Sequence, residues 1–278
     1  MKRFKFFKIF ILVVLFFNYF KLQAEIIGIE KKEVKNGIVY KKGDKDSFTG
    51  IFKGGDRYEE YKNGIKHGKF EGKIKVENEE YKYEGRYVEG IKHGQWKIKY
   101  LNGKIQALLE FNYDLPKGQW TYFYPNSKIK GYENFENGVL AGDIAFYTDD
   151  GTLLRKATYK NGLLDGELFI YYGTKVLKTM ANFSNGRLEG PLRIYSPHNI
   201  IQLEGYYKND RRDSLWKLYY VNGDLKIVIA YKNGLKNGRM IIYGRAGEIV
   251  QTGIYRDDNE VNEELSLIHI SEPTRLRC

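Results

Sequence analysis

Few side chains in this sequence have the types and spacing that catalysis requires, and the histidines are the first to consider. His67 and His93 both occur in the tetrapeptide Ile-Lys-His-Gly. Each lies directly before a glycine, at a position that other copies of the same pattern fill with Asp165 or Glu189. Because the residue type varies while the spacing is kept, we interpret both histidines as solvated turn residues, and not as a general base or a metal ligand.

Acidic pairs and short motifs lead to the same conclusion. The acidic pairs lie at predicted turns or near the end of the chain, where solvated charge is the ordinary explanation: Asp149-Asp150, Asp257-Asp258 and Glu263-Glu264. The sequence has no Gly-x-Ser-x-Gly elbow, no phosphate-binding Gly-x-x-x-x-Gly-Lys-Ser/Thr and no His-Glu-x-x-His. One cysteine and four histidines exclude a disulfide scaffold and a Cys/His zinc module. We therefore predict a protein that is not an enzyme, with no catalytic residue, no metal and no cofactor.

The two ends of the chain differ from the rest. Residues 1–24 combine basic residues with an apolar run from Ile9 to Phe20, which predicts a secretory signal peptide cleaved before Glu25. The run is shorter than the ~20 residues that span a bilayer, and an uncleaved anchor is the alternative. A secreted, periplasmic or cell-surface location in a bacterium follows. Residues 265–278 break every preceding pattern and resemble translated sequencing-adapter DNA, so we interpret them as a non-native tail.

Composition narrows the function classes further. Aromatic residues make up 15% of the chain and charged residues 29%, with a mean hydropathy of -0.54. This balance argues against intrinsic disorder and against a multi-span membrane protein. Residues 25–264 hold 39 Lys and Arg against 34 Asp and Glu, a net charge of +5. Because this charge is small and spread along the chain, we expect no nucleic-acid partner.

An internal repeat of 24 residues organises the chain. Aromatic residues that precede an Asn-Gly-like turn recur at this interval: Tyr87, Phe111, Phe135, Tyr159, Phe183, Tyr207, Tyr231 and Tyr255. The best copies read Tyr159-Lys-Asn-Gly162-Leu-Leu-Asp-Gly166 and Tyr231-Lys-Asn-Gly234-Leu-Lys-Asn-Gly238, and we assign both glycines of each copy to the turn. A second turn site, such as Asn102-Gly103 and Asn222-Gly223, keeps the same period. Each unit therefore contains two turns and two strands.

Side chains alternate between the turns, as expected of half-buried strands. Trp96, Ile98 and Tyr100 share one face, while Lys97 and Lys99 point the other way. Consecutive hairpins without helices predict an all-β fold, an elongated curved antiparallel β-meander of roughly 16 to 18 strands. We place an N-terminal cap at 25–47 and the repeat array at 48–264.

The repeated unit Tyr-x-Asn-Gly-x-x-x-Gly-x-Trp/Leu-x-x-Tyr-Tyr-x-Asn-Gly-x-Leu resembles the MORN repeat variant, and in particular the bacterial YwqK-family antitoxin repeat proteins. The opening Val34-x-x-Gly37-x-x-Tyr40 also resembles the start of such arrays, and the likeness spans about residues 34–262. It implies an all-β module for protein interaction or immunity. Asp114 and Asp210 replace the first glycine of the unit and Ser214 the second, and we expect these turns to be kept, because Asp tolerates left-handed backbone.

The aromatic face allows two interpretations. Its rings either stack across strands as the core of a one-layer sheet, or part of the face stays open as a groove for a protein or peptide partner. The candidate partner-binding residues are Trp96, Tyr100, Trp120, Tyr122, Tyr124, Tyr172, Trp216 and Tyr220. Three functions stay open: an exported scaffold that binds a protein or peptide, an antitoxin or immunity protein that neutralises a toxin partner, and a binder of membrane surfaces or glycans through scattered lysines.

Overall fold

A computed structural model describes residues 24–261. The predicted signal peptide, apart from Ala24, and the predicted tail at 265–278 lie outside these residues. The described chain forms two compact units, of which the first ends at Ser127 and the second begins at Lys128. Unit 1 is residues 24–127 and unit 2 is residues 128–261. Within the described range, no helix has the length and apolar character needed to cross a membrane.

Strands make up most of unit 1. They are β1 Ile26–Gly28, β2 Lys32–Lys35, β3 Ile38–Lys41, β4 Gly50–Gly54, β5 Arg57–Lys62, β6 Ile65–Val76, β7 Glu79–Val88, β8 Ile91–Lys99, β9 Ile105–Asn112, β10 Leu115–Pro116 and β11 Gly118–Phe123. A 3₁₀-helix at Ile29–Lys31 follows β1. Each strand from β4 to β9 pairs antiparallel with the next, and β9 also pairs with β11.

The start of unit 1 departs from the simple meander. Strand β1 pairs in parallel with β4, whereas β2 and β3 form a separate hairpin. A core cluster joins this segment to the first hairpins of the array, through Ile27, Val39, Phe48, Phe52, Tyr61 and Phe70. The predicted cap at 25–47 thus falls on a segment that packs against the array, and its boundaries stay a prediction.

Unit 2 continues the same pattern with more regular hairpins. Its strands are β12 Ile129–Glu136, β13 Val139–Leu140, β14 Gly142–Tyr147, β15 Leu153–Lys160, β16 Leu163–Tyr171, β17 Leu177–Ser184, β18 Arg187–Tyr195, β19 Ile201–Lys208, β20 Arg211–Tyr219, β21 Leu225–Lys232, β22 Leu235–Tyr243, β23 Ile249–Arg256 and β24 Asn259–Glu260. From β14 onward each strand pairs antiparallel with the next, and β12 pairs with both β13 and β14.

These pairings confirm the predicted all-β fold of consecutive antiparallel hairpins. The expected strand number was wrong, because the described residues contain 24 strands. Local breaks in the ladder divide a predicted strand into two pieces, as where Ala141 separates β13 from β14. The strands β1 to β3 before the array and the two-residue strand β24 add the rest.

Left-handed residues close the hairpin turns as predicted. Asn161 and Gly162 have φ of 51° and 79°, and Asp210, which replaces a glycine, keeps a φ of 63°. Backbone hydrogen bonds also join turns to the preceding repeat. For example, the N–H of Gly186 donates to the Leu164 carbonyl at 2.7 Å. The same bond recurs at the equivalent residues of other repeats, so the turns stack at a fixed spacing.

The second glycine of each 24-residue repeat does not lie in the turn, and this part of the prediction was wrong. In the pairing of β7 with β8, Arg86 lies opposite His93 and Glu84 opposite Lys97. Three residues beginning with Gly94 therefore face the single residue Gly85. Such a bulge needs one residue with positive φ, which Gly94 supplies at 72°. The glycine pattern thus encodes one turn and one strand bulge per repeat.

Candidate binding surfaces

Two of the three tryptophans belong to the core of the sheet. Trp96 in unit 1 and Trp216 in unit 2 each lie in a bulge, with the indole across a glycine of the neighbouring strand. A Cβ on Gly85 would lie 2.1 Å from the Trp96 ring, and one on Gly205 would lie 2.3 Å from the Trp216 ring. The exposed fractions of the two tryptophans are 4% and 2%. Glycine at these positions therefore makes room for the indole.

Aromatic neighbours and a cation enclose each of these indoles. The Trp216 ring makes edge-to-face contacts with Tyr207 at 5.0 Å and with Tyr231 at 6.2 Å between centroids. The Arg212 guanidinium lies 4.8 Å from the Trp216 ring centroid. Trp96 has equivalent partners in Tyr87, Phe111 and Lys92. Edge-to-face rings and an overlying cation both match the charge distribution of an aromatic ring.

Trp120 differs from the other two. Its ring packs 5.0 Å from that of Phe111, and its indole N–H donates to the Glu110 carbonyl at 2.9 Å. Leu109 occupies the position that is glycine beside Trp96 and Trp216, and Trp120 is only half-buried. Of the three tryptophans, Trp120 thus presents the most accessible ring.

The candidate tyrosines at the second turn join adjacent repeats. Tyr100, Tyr172 and Tyr220 each donate their hydroxyl to a backbone carbonyl in the following repeat, over 2.7 to 2.9 Å, the acceptors being Phe123, Tyr195 and Tyr243. Burial raises the pKa of the Tyr100 hydroxyl. Tyr122 and Tyr124 are half-buried, and neither is without a partner. The sequence grouped all these residues on one face but did not reveal the bonds between repeats.

The histidines singled out in the sequence contact neighbouring turns. The Nδ1 atom of His67 accepts the N–H of Glu89 at 3.4 Å. At the equivalent position Glu189 accepts the N–H of Asn209 at 2.7 Å. This position therefore accepts a hydrogen bond from the next turn. Both histidines lie within strands, His67 in β6 and His93 in β8, and are half-buried, so the prediction of solvated turn residues was wrong. The ring of His93 lies 4.8 Å from that of Tyr113.

Aspartates at the first glycine position also join repeats. The carboxylate of Asp210 accepts the N–H of Leu188 at 2.7 Å, and Asp258 accepts that of Lys236 at 2.7 Å. Glycine cannot make this bond. Aspartate at this position adopts positive φ less readily than glycine does, but it gains a side-chain hydrogen bond to the preceding repeat.

The face opposite the tryptophans carries ion pairs in both units. In unit 1, Lys99 and Lys97 contact Glu84 at 2.7 and 3.4 Å. Burial alone raises the pKa of Glu84, but the hydrogen bonds and charges of the two lysines outweigh it and lower the pKa. The hydrogen bond from Lys73 likewise lowers the pKa of the exposed Asp56.

One buried carboxylate escaped the sequence analysis. Glu59 accepts the Tyr61 hydroxyl at 2.9 Å and the Lys32 ammonium at 2.5 Å, and its exposed fraction is 7%. Burial raises the pKa of Tyr61. The pair links β2 to the first array hairpin, and the alternation of side chains gave no sign of it. Residues 24–261 contain no group of three or more His, Cys, Asp or Glu that could hold a metal ion.

A comparison with protein-family models agrees with the repeat. The MORN repeat variant family model matches residues 92–113 and 116–137, two adjacent copies of the 24-residue unit. No curated protein matches the chain. Among solved structures, a porin-like protein from Bacteroides uniformis ATCC 8492 is 12% identical, with 80% of this chain and 91% of that chain covered, at a TM-score of 0.19.

Proposed function

We propose that this chain is an exported repeat scaffold that binds a protein or peptide partner without catalysing a reaction. The observation that carries the proposal is the bonding between repeats. At one end of the hairpins, backbone hydrogen bonds such as that from Gly186 to Leu164 join adjacent turns. At the other end, tyrosine hydroxyls such as that of Tyr172 donate to a carbonyl of the next repeat. Neighbouring hairpins are therefore held at a fixed spacing within each unit. A surface ordered before binding loses less conformational entropy on association.

Trp120 is the first aromatic residue to test for contact with a partner. Trp96 and Trp216 are occupied by packing, whereas Trp120 is half-buried. Rigid aromatic rings at interfaces carry much of the binding free energy, with hot-spot losses of ~2 kcal/mol or more on truncation. The aromatic-groove hypothesis is therefore strongest around Trp120.

The test begins with the partner. The tagged full-length chain is cross-linked in its native cells, the partner is identified by mass spectrometry, and the purified pair is measured by calorimetry. We expect Trp120→Ala to weaken binding by about 30-fold or more at temperatures well below its unfolding transition, and also to lower the unfolding midpoint, because it removes the contact with Phe111 and the bond to the Glu110 carbonyl. Leu101→Ala, at a 53% exposed side chain in the same unit, is the control and should bind normally. Equal losses in both variants, or none in Trp120→Ala, would overturn the aromatic groove. A purified toxin as the partner would favour the antitoxin alternative.

Export is tested separately. Mass spectrometry of the native protein should find Glu25 at the N-terminus and the protein outside the cytoplasm. An intact Met1 in the cytosolic fraction would contradict export and would also favour the antitoxin alternative.

A further inference from the structure

The face of unit 2 opposite Trp216 carries exposed apolar side chains in the middle of its strands. Leu215 in β20 has an exposed fraction of 55%, and Tyr206 in β19 one of 41%. Other exposed aliphatic residues of unit 2, such as Val139 and Leu163, directly follow a turn. Both side chains line one shallow groove of about 320 Å³, here called the Leu215 surface. The residues that form this surface are Pro191, Arg193, Glu204, Tyr206, Leu215 and Lys217.

The repeat itself shows that the fold does not require these apolar residues. At the positions equivalent to Leu215, four earlier repeats have polar side chains, Gln95, Gln119, Asp143 and Glu167. At those equivalent to Tyr206 they have Glu110, Asn134, Thr158 and Asn182. The same backbone is therefore built with polar residues elsewhere. Exposed apolar residues in mid-strand add nothing to the core, and a clustered patch of this kind is typical of an interaction site.

The backbone under this surface is held from the other face. Leu215 lies in the bulge between Ser214 and Trp216, and Ser214 has a φ of 61° where most repeats have glycine. The indole N–H of Trp216 donates to the Tyr206 carbonyl at 3.1 Å. One buried ring thus fixes the bulge relative to the strand that carries Tyr206. Leu215 and Tyr206 are presented in a fixed arrangement, which lowers the entropy cost of binding.

Charge beside the groove indicates what the partner carries. Glu204 contacts Lys217 at 3.1 Å and Arg193 at 3.4 Å, and it accepts the Tyr219 hydroxyl at 2.7 Å. Two cations thus share one carboxylate, which leaves one positive charge in excess. The side chains of Arg193 and Lys217 are 45% and 40% exposed, so they can also contact a partner. A carboxylate next to an apolar side chain would complement this surface.

We propose that the Leu215 surface binds a segment of a partner protein that presents an aliphatic or aromatic side chain next to a carboxylate. The apolar side chain packs between Pro191, Tyr206 and Leu215, and the carboxylate pairs with Arg193 and Lys217. This inference rests on the proposed scaffold function and assigns it a surface and a partner chemistry.

The experiment uses fluorescein-labelled ten-residue peptides with a central Phe flanked by Glu, by Gln or by Lys. Fluorescence anisotropy with the full chain measures their affinities. We expect the Glu peptide to bind about tenfold more tightly than the Lys peptide, with a difference that shrinks as salt rises. Leu215→Gln and Tyr206→Asn install residues that other repeats already carry at these positions, so both variants should fold. Each should weaken the Glu peptide about tenfold, whereas Gln95→Ala at the equivalent site of unit 1 should not.

Three results would overturn the inference. They are the absence of peptide binding, equal affinity for all three peptides, and equal binding by wild type and Leu215→Gln. A dimer in sedimentation that Leu215→Gln dissolves would instead assign the surface to a second copy of the chain. Failure of the scaffold function is distinguishable, because it appears as the absence of any cross-linked protein partner. A partner that binds Leu215→Gln and wild type equally would leave that function standing and remove only this surface.

Discussion

Replacing Trp216 by alanine should destabilise unit 2 by ~3 to 5 kcal/mol. The indole is 2% exposed, packs against Tyr207 and Tyr231, and fills the space above Gly205. Truncation removes this buried surface and leaves a cavity. The surrounding strands cannot easily move to fill it, because β20 is hydrogen-bonded to a neighbouring strand on each side. It also leaves the Tyr206 carbonyl without its indole donor.

The pairing of indole and glycine allows a sharper test by a double-mutant cycle. Gly205 has no positive φ, so alanine is acceptable to its backbone, but the new Cβ would lie 2.3 Å from the Trp216 ring. Gly205→Ala alone should therefore cost ~1 to 3 kcal/mol through overpacking. In the double variant the ring is gone and the methyl group fills part of the cavity. The double variant should cost no more than Trp216→Ala alone, which gives a coupling of ~1 to 3 kcal/mol.

Urea unfolding followed by circular dichroism of the strand signal measures all three variants. Leu215→Ala, one residue away and 55% exposed, is the control and should change stability by less than ~0.5 kcal/mol. Additive costs in the cycle would show that the ring and the glycine do not share one space. A loss below ~1 kcal/mol for Trp216→Ala would show that the indole is not core.

Three further predictions concern the contacts between strands and repeats. Asp210→Ala should cost more than Asp210→Gly in urea unfolding, because both lose the bond from the Leu188 N–H but only alanine is strained at a φ of 63°. Tyr172→Phe should cost ~0.5 to 1.5 kcal/mol by the same measurement, since it deletes the bond to the Tyr195 carbonyl; an unchanged midpoint would refute the proposed link between repeats. The Tyr219 hydrogen bond and the cations beside Glu204 lower its pKa, so this carboxylate stabilises the fold above its unfolded pKa of about 4.3 and loses the contribution as pH falls through the lower folded pKa. Glu204→Gln should therefore flatten the acid side of the stability profile, and an unchanged profile would contradict that assignment.

The repeat period and the strand alternation were predictable because each follows from local chemistry. Asn-Gly turns need left-handed backbone, which Asn161 and Gly162 adopt, and the alternation placed Trp96 on the face opposite Lys97. Which aromatic rings are core was not predictable. It depends on the residue across the strand, glycine beside Trp96 but Leu109 near Trp120. That partner is known only once the bulge fixes the register.

The bulge was not predicted because glycine with positive φ occurs both in hairpin turns and in strand bulges, and the sequence does not distinguish the two. Gly162 and Gly166 both have positive φ, at 79° and 127°, yet only the first lies in a turn. Ser214 offered a clue, because a turn that loses its glycine usually keeps Asn or Asp, whereas this position has serine directly before an exposed leucine. The residues before and after a bulge are held by their pairing with the neighbouring strand. A bulge residue such as Leu215 can therefore be changed without altering the hairpin turn. The bulge is therefore the part of the repeat at which sequence can vary to form a binding surface while the array is kept.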